Sequence, residues 1–556
     1  MIRSRLPFAS GERSGNPPLG TLSVNHPAGG DVGNGGREEN AGPSRFPRSE
    51  AFHEFWRPDR VALALIALIL VFRFWLAAVF PITGDEAYFT VWGQLPAPGY
   101  YDHPPMVGWW LALLTKFSTH PLALRLPTLV VPALVAWGMY LGLRSIDRDK
   151  AIYAAMAFLL VPVSVWNIFI TTDTPLVFFS FLAGLSWWLA RSSRDVRWQV
   201  LAGIFLGLAF LSKYFSVLLA FVLLVDVLAS PRNERDWRGL AIAFACALPF
   251  GLYNMWWNYE NCWANLMFNL YNRHDSAGLS WKSPVLFVVI TAYVLSPVAI
   301  WQMIRERSAF ALKWRDPGLR FLMLAAALPF LMFAGLSVVR PVGLHWVLAF
   351  LPFFFMAAAL MLSRRQMIGS VKYLAAFSLI HVIAIVIAAG LPLDTWKNSR
   401  WYDGIVFHFR IQEVVDTLKT FTPEYELAAD GYSAATTASV VGGRYVFVFG
   451  TASSHARHDD LVTDFRRYEG RNILIFRKNP PTDAEYRPYF ASVEYGSMKI
   501  AGATFHLVFG RGFHYTAYRD GVLAEMRDRY YRIPAFLPQG ACVFCERYFE
   551  TACPVR

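Results

Sequence analysis

Apolar runs of membrane-crossing length recur along this chain, at 61–81, 121–143, 151–171, 174–190, 239–257, 283–304, 321–338, 343–362 and 372–392. A bilayer core about 30 Å thick needs about 20 such residues in a helix, and lipid offers no partner for a backbone polar group left unpaired. The sequence therefore predicts a mostly α, polytopic membrane protein. Composition agrees: 17% of residues are charged and 55% hydrophobic, against about 25% charged in a soluble domain. The formal charge of +12 would suggest a nucleic-acid partner for a soluble protein. Here basic loops gathered on one side of a membrane explain it, and nucleic acid is excluded as a partner.

The basic loops order the crossings. Lys and Arg cluster at 144–150, 191–198, 231–238, 305–320 and 363–372, and all five share the cytosolic side only if residues 199–229 cross twice. Each half is then about 15 residues, or roughly 23 Å of helix, short for a bilayer. The alternative is one long tilted helix with a snorkelling lysine at Lys213. The first reading gives about 11 transmembrane helices, a cytoplasmic amino terminus and a carboxyl terminus outside. The outer loops are then 82–120 (with an interfacial helix at 106–117), 172–173, 212–214, 258–282 and 340–342.

The ends differ from the bundle. Residues 1–60, rich in Gly, Pro, Ser and Asn, read as a disordered cytosolic tail. Residues 393–556 read as a soluble α/β domain on the outer face, with strands at 445–449 and 472–477 and helix or turn at 428–441 and 463–469. Cys246 and Cys262 lie in or beside an apolar segment and read as inert. Cys542, Cys545 and Cys553 lack a regularly spaced fourth zinc ligand, so a disulfide in an oxidising compartment is the favoured reading.

Candidate chemistry concentrates on the outer side, where ionisable groups beside a bilayer mark functional sites. Asp85 and Glu86 open a helix at 87–93. Glu86 has two readings, because Thr83 and Glu86 also have capping-box spacing. Asp85 is free of that box and placed to accept a proton. Tyr100, Tyr101, Asp102 and His103 precede two prolines that fix the backbone, and Asp102 with His103 suits acid/base work, phosphate or a divalent metal ion. Asp173 either caps the helix beginning at Pro175 or serves the site. Lys213, an isolated cation among apolar residues, needs an anionic partner, and a lipid phosphate is one. The amide-rich 258–274 stretch, with Asn258, Arg273 and His274, suits a hydroxyl-rich ligand or an interfacial aromatic belt. Arg340 and His345 add cations at the last outer loop. Arg73, inside the first span, reads as pairing with another helix.

Taken in order, the DE pair at Asp85 and Glu86, YYDHPP at 100–105, TTDTP at 171–175, LSK at 211–213 and the WN…R stretch at 257–273 resemble the GT-C membrane glycosyltransferases. The nearer likeness is to the protein O-mannosyltransferase and lipid A aminoarabinose transferase family, over roughly residues 60–360. The resemblance implies an inverting transfer of a sugar from a polyprenyl-phosphate donor to an acceptor on the outer face of a bacterial inner membrane, with the C-terminal domain periplasmic. It implies Asp85 as base, with Glu86 and Asp102 beside it, and His103, Lys213 and Arg340 at the donor phosphate. Tyr88, Tyr101, Asp173, Asn258, Arg273 and His345 are the expected sugar or acceptor contacts. The DHPP form departs from the family's Glu–Lys pair at that place. A lipid A, lipopolysaccharide or related glycolipid acceptor is favoured. Transfer to protein Ser/Thr, or a lipid-linked-sugar transporter without chemistry, are the alternatives.

Overall fold

A computed structural model describes residues 58–272, 278–308, 313–551 and 553–555. Almost all of the expected 1–60 tail, together with Arg273 and His274, lies outside the described residues. The principal helices of the first part are α1 (Pro58–Val79), α2 (Gly84–Gln94), α3 (Met106–Thr115), α4 (Leu126–Leu143), α5 (Arg148–Leu159), α6 (Asp173–Ser193), α7 (Val196–Phe210), α8 (Ser216–Ala229) and α9 (Trp237–Glu260). They continue with α10 (Lys282–Leu295), α11 (Pro297–Arg305), α12 (Pro317–Ser337), α13 (Leu351–Met361) and α14 (Arg364–Gly390).

Among the described residues, 7 helices are long and apolar enough to cross a membrane, or up to 8 if α10 and α11, bent by 88°, form one span. The expected crossing at 151–171 is instead broken. Helix α5 stops at Leu159, a short turn covers Pro162–Trp166, and Pro162 at its first position marks the restart. The 199–229 stretch is also broken, into α7 and α8, which separates it from the single-helix alternative. Ser212 Oγ bonds back to Leu208 O at 2.8 Å. The freed Leu211 carbonyl accepts from the Met106 N–H at 3.0 Å, so the helix break is stitched to the start of α3. The 344–361 segment lies at the centre of the bundle and α14 at its rim.

After α14 the chain forms α15 (Tyr402–Phe409), α16 (Ile411–Lys419), β1 (Glu426–Ala429), α17 (Tyr432–Gly442), β2 (Phe447–Val448), β3 (Ile473–Arg477), β4 (Phe490–Ile500), β5 (Ala503–Phe513) and α18 (Val543–Phe549). The sheet order is β2-β1-β3-β5-β4. Strands β1, β2 and β3 pair in parallel, and the β4–β5 hairpin joins β3 antiparallel. The expected helix or turn at 428–441 begins with two residues of β1, while 463–469 contains a single 3-10 turn, Phe465–Tyr468.

Close packing and a covalent bond both tie this part to the first. Tyr432, Val440 and Val441 of α17 pack on the core that includes Ala87, Tyr88 and Trp92 of α2. The approach is so close that a Cβ on Gly84 would overlap Ser433. The other contact is covalent: Cys262 is bonded to Cys542, and Cys545 to Cys553. Cys262 is therefore not inert as expected. It is the missing fourth cysteine, and the four pair as two disulfides.

Candidate active site

A cavity of about 410 Å³ opens where the N-terminal ends of α2 and α6, the α7–α8 break, the 344–348 turn and the C-terminal part converge. Helix α2 delivers its first residues there because its N-cap is fixed. Thr83 and Glu86 form the reciprocal capping box. Glu86 then turns away from the cavity, and Arg125 grips both its oxygens at 2.8 and 2.7 Å. Arg125 also donates to the carbonyls of Ala77, Phe80 and Pro81, and Glu86 accepts from Ile170 N. Glu86 holds three segments together and does not line the cavity; of its two readings the structure realises the cap.

Asp85, one residue earlier, faces the open space. Tyr432 donates to its Oδ1 at 3.0 Å, and its other oxygen has no partner among the described residues. The Tyr432 hydroxyl is pushed up to about 12 by burial and by Asp85, so it remains a donor at neutral pH. Opposite, Asp102 accepts from Tyr88 at 2.8 Å and lies 3.4 Å from Arg457. Burial, then Asp102, raises the Tyr88 hydroxyl well above its ordinary value. Arg457 stands between the rings of Phe268 and Tyr432, 4.9 Å from each centroid. Burial acts to lower its pKa, but Asp102 and the surrounding tyrosines more than offset this and hold the guanidinium charged.

The cavity floor carries a second pair. Lys213 Nζ bonds both oxygens of Asp173 at 2.9 Å, and both side chains are buried. Asp173 does not cap α6: that helix starts at Asp173 itself, after a Thr172 N-cap without a side-chain bond. The anionic partner demanded by Lys213 is thus a protein carboxylate. An ammonium has three donors, and one remains for a ligand. His103 and His345 also line the cavity.

Other expected contacts lie elsewhere. Tyr101 is buried in the core of the C-terminal part, its hydroxyl accepting from Asn272 at 3.2 Å. Asn258 is buried and bonded to Asn254 O and Leu266 N. Asn265 and Asn269 donate to the carbonyls of Tyr100 and Asp102. The amides read as sugar contacts therefore tie the outer loop to the 100–102 backbone. Arg340 is half-buried beyond the end of α12 and outside the cavity lining. Arg73 donates to the carbonyls of Ser164 and Thr128 rather than to substrate.

The divalent-metal reading of Asp102 and His103 fits poorly. Arg457 and Tyr88 engage the Asp102 carboxylate, and a guanidinium repels a second cation. Among the described residues these two join no set of three potential ligands. The buried His455, Asp459 and Asp460 do form such a set, but it is a hydrogen-bond network. His455 Nδ1 meets Asp460 at 2.8 Å, Asp460 accepts from Ala456 N, and Asp459 accepts from Tyr445 and Val448 N. That network fixes the turn carrying Arg457.

The family model described as dolichyl-phosphate-mannose-protein mannosyltransferase matches residues 102–256. Lipid A galacturonosyltransferase RgtD of Rhizobium johnstonii is 27% identical over 237 residues, 40% of this chain and 50% of that protein. The match thus spans about half the length of that relative. The fold is that of ArnT from Cupriavidus metallidurans in the apo state, with TM-score 0.58 and 14% identity, covering 81% of this chain and 98% of that one. ArnT bound to undecaprenyl phosphate matches with TM-score 0.57 and 15% identity, over 80% of this chain and 97% of that one. In sequence over part of its length, and in fold, the chain is thus similar to the GT-C membrane glycosyltransferases.

Sequence alone does not disclose the cavity residues supplied from afar. Arg457 and Tyr432 come from the C-terminal part, and Trp166, Asn167 and Phe169 from the broken stretch after α5. The interruption of the 151–171 run by Pro162 and Asn167 was the available signal for the latter. Arg457 had no local signal.

Proposed function

We propose that this chain transfers a sugar, with inversion, from a polyprenyl-phosphate-linked donor to an envelope glycolipid of the lipid A or lipopolysaccharide type, at the outer face of a bacterial inner membrane. The observation that carries the reading is one cavity with an open carboxylate, Asp85, and two cations, the buried Lys213 and the half-buried Arg457. Asp85 takes the proton of the acceptor hydroxyl as its oxygen bonds the sugar's anomeric carbon. The bond from that carbon to the phosphate oxygen breaks, and the polyprenyl phosphate leaves. Charge growing on the phosphate is met by Lys213, His103 and Arg457 in a site of low dielectric, where one oriented donor is worth about 3–4 kcal/mol. Tyr88 and Asp102 orient Arg457, and His345 and Asp173 frame the sugar.

The lipid A galacturonosyltransferase of Rhizobium supports a lipid A acceptor, and the ArnT structure bound to undecaprenyl phosphate supports a polyprenyl donor. Two disulfides, one joining the 258–272 loop to the C-terminal part and one within that part, support an oxidising, periplasmic side for both. We take residues 61–392 as the catalytic membrane portion and 393–556 as the periplasmic part that closes the cavity. The carrier alternative calls for charges along a midplane path, whereas the charged cavities here lie at the two ends of α6.

Mass spectrometry of envelope lipids and proteins, with and without this chain, tests the reading. A sugar increment missing from lipid A is expected. Loss from protein Ser/Thr instead would transfer the reading to a protein acceptor, and loss from neither would return it to a carrier.

A further inference from the structure

Helix α6 runs from the reaction cavity to a second one. Its 21 residues span about 31 Å, close to the thickness of a bilayer core, with Asp173 at one end and Arg191 in the last turn. At the Arg191 end a cavity of about 340 Å³ is walled by Arg191, Arg194, Arg235 and Arg238. The charge there is unbalanced. Behind the wall, Arg191 and Arg320 share one buried carboxylate, Asp226, at 3.2 and 3.4 Å. Both also donate to Ser230 Oγ, at 2.8 and 2.7 Å. Two buried cations against one anion leave excess positive charge where water cannot disperse it.

The cavity's own carboxylates do not restore the balance. Asp236, which accepts from Gly239 N and Gln199 at 2.8 Å, and Glu234 bring the anions to three with Asp226, against the five cations Arg191, Arg194, Arg235, Arg238 and Arg320. Arg194 and Arg238 have no partner among the described residues. Arg194 also takes a left-handed conformation, φ 57°, at the C-cap of α6, a place that favours glycine. An arginine there gives up backbone comfort while presenting its guanidinium at the cavity mouth. Beside it, Val196 and Trp237 are about half exposed, an apolar edge next to a cationic hollow.

We propose that this cavity binds the phosphate of an anionic membrane-lipid headgroup, with the guanidinium forks on the phosphate oxygens and Val196 and Trp237 against the glycerol and upper acyl chains. Arginine forks match phosphate geometry, and basic hollows between helices at a membrane face are suited to such headgroups. The apolar edge selects a lipid over free phosphate.

The test uses the full chain, purified and delipidated in a neutral detergent, with thermal stability and native mass spectrometry as readouts. Phosphatidylglycerol in mixed micelles is expected to stabilise the protein saturably and to be retained, while phosphatidylcholine does neither. The R194A/R238A variant, altered only at exposed side chains, is expected to need about tenfold more phosphatidylglycerol. D85N, altered in the reaction cavity, is expected to need no more than the parent. Equal stabilisation by phosphatidylcholine, full saturation by inorganic phosphate alone, or an unchanged requirement in R194A/R238A would each overturn the proposal.

Discussion

The buried pair of Lys213 and Asp173 joins two elements at the cavity floor, and its energetics govern what substitutions there do. Removing one partner strands a charge in a low dielectric, which costs about 3–5 kcal/mol. Lys213→Met is therefore expected to lower the melting temperature in detergent strongly, and Asp173→Asn added to it to recover much of the loss. Equal loss in single and double variants would show that the two are uncoupled. His458 supplies a pH test. Burial lowers its pKa from 6.5 to about 3, and that of His408 to about 4. Below pH 6.5 the unfolded chain accepts protons that these rings refuse, so stability falls on acidification. Asp459 acts oppositely: burial raises it from 3.8 to about 6, so stability from this group rises as pH falls through that interval. Among these three groups the two histidines oppose Asp459, so the acid loss is read on His458 by substitution. His458→Phe, at a ring whose Nδ1 has no hydrogen bond, is expected to lose less melting temperature than the parent between about pH 6.5 and 4.5. An identical acid slope would count against His458. At this scale the sequence disclosed demands rather than partners. A lone lysine among apolar residues announces a missing anion, but whether lipid or Asp173 supplies it depends on tertiary contact.

The cavity wall depends on elements that brace one another. The turn carrying Arg457 is fixed from within by His455, Asp459 and Asp460, and from outside by α18, whose Arg547 donates to the carbonyls of Asp460, Leu461 and Thr463. Helix α18 is in turn fastened by the Cys545–Cys553 bridge and, through Cys542, to Cys262. Removing a native disulfide costs about 2–5 kcal/mol. Cys262→Ser with Cys542→Ser is expected to lower the melting temperature, and also kcat/KM, because Arg457 loses its brace. Unaltered kinetics in a folded double variant would detach the strap from the site. Helix α2 was legible from Thr83 and Glu86, since capping is a local rule. Strand β5 was legible in principle over its first half: Ala503, Phe505 and Leu507 are buried at alternate positions. Its partner β4 was not, because it lies at the sheet edge with few buried side chains and so lacks an apolar period.

Across the whole molecule, cationic and acidic side chains collect at the two ends of the bundle. The amphipathic pattern of runs and basic loops made the membrane architecture readable, because lipid permits so few backbone solutions. It did not reveal that a distant part of the chain would complete the cavity, since no periodicity encodes which loop Arg457 enters. In the proposed reaction Asp85, the open carboxylate, activates the acceptor while Lys213 and Arg457 receive the polyprenyl phosphate. Its most direct test is a transfer assay with purified protein, a polyprenyl-phosphate sugar and lipid A, comparing the parent chain with Asp85→Asn at matched melting temperature. Glycosylated lipid A and released polyprenyl phosphate are expected from the parent, and a rate at least about a hundredfold lower from Asp85→Asn. Equal rates from the two folded proteins would contradict it.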